Sequence, residues 1–186
     1  QWVSEYDYAG FEEKACGLVL DNAGHPIICG SSGSTSLDHQ ITLIKYNKNN
    51  GNEMVSERHL SSGVGKDKPS AMCKGSNDRI YIVGSTENNN NRDISVLAFN
   101  NGLNLIWEQS VDKSGNSDEG FALDCVGDYV AITGYCEKND GGKNLVTALY
   151  DGLDGSPQWM HERATRIDGN FAIGKTISCT SNGNIY

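Results

Sequence analysis

Basic residues, proline and methionine are all scarce in this chain. Its 186 residues hold three prolines, three methionines and three tryptophans, and 15 Lys+Arg against 24 Asp+Glu, a net charge of −9. No basic cluster offsets that balance, so a phosphate backbone is repelled and nucleic-acid binding is not expected. No run of 18 apolar residues is present, so no membrane-spanning helix is expected. Cys-x-x-Cys is absent, and with it the zinc-ribbon and thioredoxin patterns. Also missing are Gly-x-Ser-x-Gly, His-Glu-x-x-His and the glycine-rich phosphate loop; Gly30-Ser31-Ser32-Gly33-Ser34 lacks the spacing and reads as a polar loop. None of the 19 asparagines is followed by x-Ser/Thr, so no N-glycosylation acceptor exists. Gln1–Glu5 show neither the charged nor the apolar region of a signal peptide. These absences leave no residue assigned to catalysis, to a cofactor or to a metal.

Glycine is plentiful, at 22 residues, and it recurs in phase. Trp2-Val3-Ser4-Glu5 leads to Gly10, Met54-Val55-Ser56-Glu57 to Gly63, Trp107-Glu108-Gln109-Ser110 to Gly115, and Trp159-Met160-His161-Glu162 to Gly169. The lead positions 2, 54, 107 and 159 lie 52, 53 and 52 residues apart. An Ala-led stretch follows each time, then a tight turn, then an Ile/Val/Tyr run closing on Gly30, Gly84 or Gly134; the fourth copy spans Ala172 to Tyr186. The turns Asp21–Gly24, Ser76–Asp78, Gly127-Asp128 and Ser181–Gly183 carry the Gly, Asn and Asp that tolerate positive φ. Third strands are predicted over Gln40–Tyr46, Ile94–Phe99 and Leu145–Tyr150, and the Trp- or Met-led segment is the fourth. Helical spacing is not found.

The repeat therefore predicts an all-β chain. Its units are β-propeller blades of four antiparallel strands with a period of about 52 residues. They form one partial domain over 1–186: about 2–53, 54–106, 107–158 and a partial repeat 159–186. Three repeats and part of a fourth do not close a ring, so the reading expects a piece of a longer propeller, or copies that complete one another. Tyr150-Asp151-Gly152-Leu153-Asp154-Gly155-Ser156-Pro157-Gln158-Trp159 resembles the Asp-x3-Gly-x3-Trp signature of PQQ-like propeller blades, in which the Trp packs between blades. Two copies depart from it: Met54 stands for the Trp after Gly51, and Trp107 follows a shifted glycine at Gly102. The Ala-led strand, Ile80–Gly84 and the third strand also resemble the bacterial SBBP-type repeat. Both resemblances rest on blade-building residues and speak to fold.

Six cysteines are present. Cys73, Cys125 and Cys179 occupy one equivalent place near the end of the first strand, opposite Ile80, Val130 and Ile185. They read as small buried hydrophobes, or else as a lining shared by successive inner strands. A hairpin symmetric about Asn22-Ala23 sets Cys16 opposite Cys29, a disulfide candidate that would argue for an oxidising, extracellular setting. Cys136 has no partner in this reading. His25, His39, His59 and His161 read as solvated, Asp112–Glu119 as a solvated linker lacking calcium-loop order, and Asp151 and Asp154 as turn formers.

Three polar connections, 31–39, 85–93 and 135–144, differ in each repeat; they read either as the place where such scaffolds carry protein or carbohydrate ligands or as solvated insertions that bind nothing. The expected function is a non-enzymatic binding or scaffolding module of an extracellular or cell-surface protein. One alternative is a fragment of a propeller enzyme, such as a quinoprotein-like dehydrogenase, with its site in other blades. The other is a structural subunit of a filament or coat, with neighbouring copies supplying the missing edges.

Overall fold

The computed structural model describes residues 1–35, 38–61, 65–88, 91–113, 115–164 and 171–186, with Asn77 described by its backbone alone. Gly63 and Gly169 of the repeat, Ser114 and the middle of the Asn88–Asn91 run lie outside these residues. Among the described residues twelve strands form three four-stranded antiparallel sheets, each a meander in chain order. The first holds β1 (Lys14–Leu20), β2 (Pro26–Gly33), β3 (His39–Tyr46) and β4 (Glu53–His59). The second holds β5 (Asp67–Lys74), β6 (Ile80–Asn88), β7 (Asn91–Phe99) and β8 (Leu105–Val111). The third holds β9 (Asp118–Val126), β10 (Tyr129–Glu137), β11 (Lys143–Asp151) and β12 (Pro157–Arg163). Among the described residues there is no α-helix, only one 3-10 turn at Ser76–Asp78. Each sheet begins on the Ala-led strand, and the Trp- or Met-led segment closes the sheet as its fourth strand.

The sheets stack face to face. β5 lies against β1, β2 and β3, and β9 lies against β5, β6 and β7. The middle sheet is therefore covered on both sides, which explains the unbroken apolar runs of β6 and β7. Ile80, Ile82, Leu97 and Phe99 pack with Ile27, Cys29, Ile41 and Leu43 of the first sheet. The alternate residues Tyr81, Val83, Val96 and Ala98 pack with Val130, Ile132, Val146 and Ala148 of the third. Each such buried aliphatic contributes about 1.5–3 kcal/mol, so burial between sheets holds them in this order.

One bulge repeats in all three sheets. The first strand carries an extra residue, Cys16, Ser70 or Phe121, opposite the glycine that ends the second-strand run. The bulge pushes a first-strand carbonyl into that glycine's side-chain position. A Cβ at Gly30, Gly84 or Gly134 would lie 2.4, 2.2 or 2.0 Å from the oxygen of Lys14, Lys68 or Glu119. The recurring glycine is thus a close-approach residue.

The polar connections are shorter than their composition suggests. Ser85–Asn88 and Asn91–Asp93 are strand, and Ser85, Thr86 and Asp93 are buried.

Candidate functional site

Each stack has a turn end and a loop end. At the turn end a tryptophan docks on the next sheet. Trp107 of β8 lies over Gly155, where a Cβ would come within 2.7 Å of the indole, and its Nε1 donates to the Gly152 carbonyl at 3.0 Å. That carbonyl also accepts from Arg79 at 2.6 Å and from the Tyr81 hydroxyl at 3.1 Å. The N-terminal segment repeats the dock: Trp2 lies over Gly51, 2.5 Å from a Cβ there, and donates to the Lys48 carbonyl at 2.9 Å. Between the first two sheets the pattern changes. Register places Val55, not Met54, opposite the third strand where Trp107 stands, and Met54 is half exposed. Leu103, at φ +63°, fills the space from the other side as a buried member of the inter-sheet core. Nearby, Lys45 bridges Asp21 at 2.7 Å and donates to Asn101 Oδ1 at 2.7 Å, tying β3 to the β7–β8 turn.

At the loop end the repeat builds a polar row on the face each sheet turns toward its predecessor. In the second sheet Asp67, Thr86 and Asp93 are cross-strand neighbours on β5, β6 and β7. In the third they are Asp118, Cys136 and Asn144. In the first, Ser32 pairs with Gln40, and Glu13 directly precedes β1. The leading acid closes the linker before it by accepting a backbone N–H: Tyr8 to Glu13 at 3.0 Å, Ser61 to Asp67 at 3.0 Å, Lys113 to Asp118 at 2.7 Å. Burial pushes Asp118 up to about 6 and Cys136 to about 12. It also holds Asp67 and Asp93 above the usual carboxylate range. Asp112–Glu119 is consequently not a wholly solvated linker, because Asp118 is fully buried.

A cleft of about 210 Å³ opens beside Asp67 between the first and second sheets. Lys14, Lys66, Lys68, Arg92 and His39 line it, facing Glu12 and Asp67. Glu119 accepts from Arg92 at 2.7 Å and lies 3.6 Å from Lys68 on the rim. The sequence carries no contiguous sign of this basic lining; its members meet only because β1 lies against β5 and β7 stands two strands along the same sheet.

The cysteines resolve differently from their sequence pattern. Cys73 and Cys125 are joined by a disulfide that links the first strands of neighbouring sheets across 52 residues, and so are not simply small hydrophobes. Cys125 faces Val130 and Cys179 faces Ile185 as expected, while Cys73 faces Tyr81, not Ile80. Cys16 and Cys29 are free thiols in this structure. Because Cys16 is the bulge residue, Gly17 takes the place opposite Cys29. The interaction between the two thiols, together with burial, holds Cys29 well above its ordinary value; the same interaction draws Cys16 below its own, against the effect of burial. His59 is not a solvated histidine: it meets Glu108 at 3.2 Å and sets its edge against Phe99. The Glu108 carboxylate raises its pKa. Asp151 and Asp154 do form their turn, accepting from Leu153 and Ser156 at 2.7 and 2.8 Å. Among the described residues no three or more His, Cys, Asp and Glu side chains gather at one place as a metal-binding group. No protein-family model and no curated protein matches this chain.

Proposed function

We propose that the three sheets are consecutive blades of a β-propeller serving as a binding or scaffolding module of an extracellular or cell-surface protein. One observation carries the binding role: in a chain of net charge −9, three lysines, an arginine and a histidine gather around one cleft at the loop end. Such a cleft suits an acidic group, a carboxylate or sulfate, on a protein or carbohydrate partner. The repeated tryptophan dock and the placing of each first strand across the preceding sheet support the blade reading. The Cys73–Cys125 disulfide supports an oxidising compartment.

Calorimetric titration with an oligoglutamate peptide, against a neutral oligoglutamine control, tests the binding role. Glutamate-selective binding is expected, weakened as salt shortens the screening length from about 10 Å at 0.1 M to about 3 Å at 1 M. The double variant Lys66→Glu/Lys68→Glu should abolish it. Equal weak binding of both peptides would remove the cleft from consideration.

A further inference from the structure

The repeat supplies its own control for the polar rows, and the second sheet departs from it. In the first sheet the neighbouring fourth-strand residue is Arg58, which donates to the Ser32 hydroxyl at 3.2 Å and to the Ser32 carbonyl at 3.1 Å. In the third sheet the corresponding residue is Glu162, which accepts from the Asn144 amide at 2.6 Å. Register places Ser110 at that position in the second sheet, beside Ser95, as Arg58 stands beside Thr42 and Glu162 beside Val146. The third-strand residue differs too, being Asp93 where the other rows carry the amides Gln40 and Asn144.

The consequence is a concentration of unsatisfied oxygens. Among the described residues Asp67 Oδ1, Thr86 Oγ1, Asp93 Oδ1, Ser95 Oγ and Ser61 Oγ have no hydrogen-bond partner, and none of these residues is more than 4% exposed. Thr86 sits between the two aspartates in the ladder, and Ser95 lies on the same face two residues along β7. Direct cross-strand neighbours hold their Cβ atoms about 4.5–5.5 Å apart, close enough for adjacent side chains to share one ion. The remaining carboxylate oxygens are engaged, by the Ser61 N–H and by Asn88 Nδ2 at 3.3 Å. Buried carboxylate oxygens left without a hydrogen bond or a bound charge are costly.

We propose that this row binds one hard cation, calcium in preference to magnesium or sodium, through Asp67, Thr86 and Asp93, with the Ser95 and Ser61 hydroxyls beside them. The donors are all oxygen, two of them anionic, which is the ligand set of hard cations. A row of unequal side chains along a sheet suits calcium, which accepts irregular geometry, better than magnesium, which demands an octahedron. The ion takes the electrostatic place that the Arg58 guanidinium holds in the first sheet. The cleft beside Asp67 gives it a way in past a basic lining, of which Glu12 and Glu119 offset Lys14, Lys68 and Arg92 while Lys66 and His39 stay unopposed by them. This proposal does not depend on the cleft's binding an acidic partner.

The test is calorimetric titration of calcium chloride into chelator-treated protein, together with thermal unfolding in calcium, magnesium and sodium chloride at matched ionic strength. One calcium per chain is expected, with a rise in unfolding temperature that magnesium and sodium do not match. Asp93→Asn, which copies Asn144, should weaken binding by about tenfold or more, the scale of losing a charged ligand. Ser110→Arg, which copies Arg58, should abolish the calcium response and leave a folded chain. Absence of both the heat and the calcium-specific shift in the unaltered protein would overturn the proposal without relying on any variant. So would a calcium response undiminished in Asp93→Asn.

Discussion

Asp118 shows how one residue's role depends on its surroundings. Both carboxylate oxygens accept backbone N–H groups, from Lys113 and Glu137 at 2.7 and 2.9 Å, yet burial dominates and raises its pKa from 3.8 to about 6. Between those values the folded chain binds more protons than the unfolded one, so this residue makes stability fall as pH rises through that window. A rise from 3.8 to about 6 corresponds to about 3 kcal/mol at most. Asp118→Asn should flatten the pH dependence of urea unfolding between about pH 4 and 6, at a cost of about 1–3 kcal/mol from the amide facing one N–H donor. A slope unchanged from that of the unaltered chain would show that Asp118 does not cause it. Sequence showed an acidic run with a glycine here, and it could not show burial, because the cover comes from the second sheet. Cys16 makes a related point: the turn residues announced the hairpin, but the bulge that moves Cys16 out of register is set by backbone packing at Gly30.

At the scale of the element, two solutions to one packing problem stand side by side. Where the docking segment carries Trp, the receiving turn carries glycine, as with Trp107 of β8 on Gly155 and Trp2 of the N-terminal segment on Gly51. Where it carries Val55, the turn carries Leu103 in a left-handed conformation. The pairs are complementary in volume, so single exchanges should fail and the joint exchange should recover. Leu103→Gly alone leaves a cavity worth about 2–5 kcal/mol, and Val55→Trp alone overfills the site. Together they should show a favourable coupling of about 1–3 kcal/mol in a double-mutant cycle of denaturant unfolding. Simple additivity would mean that the two side chains do not share the space. The tryptophan signature in the sequence pointed to this dock. Its substitute was misplaced by one residue, on Met54, because ladder register and not spacing decides which side chain faces the next sheet.

For the whole molecule, the disulfide is the one covalent cross-link between sheets among the described residues. Closing a loop of 52 residues is worth about 4 kcal/mol in the chain-entropy account. Reduction, or Cys73→Ala, should lower unfolding stability by about 2–4 kcal/mol and speed amide exchange across the second-to-third sheet interface more than across the first-to-second. Equal acceleration at both interfaces would show that the stack behaves as one cooperative block.

Sequence by itself determined the succession of strands, the hairpin turns, the period and the glycine that closes the apolar run of each second strand. All of these follow from local alternation, positive-φ chemistry and recurrence along the chain. Tertiary structure decided which cysteines pair, which acids are buried and which basic residues share a cleft. Those facts depend on how one sheet's face meets the next, and residues some 50 positions apart acquire their neighbours only when the sheets stack.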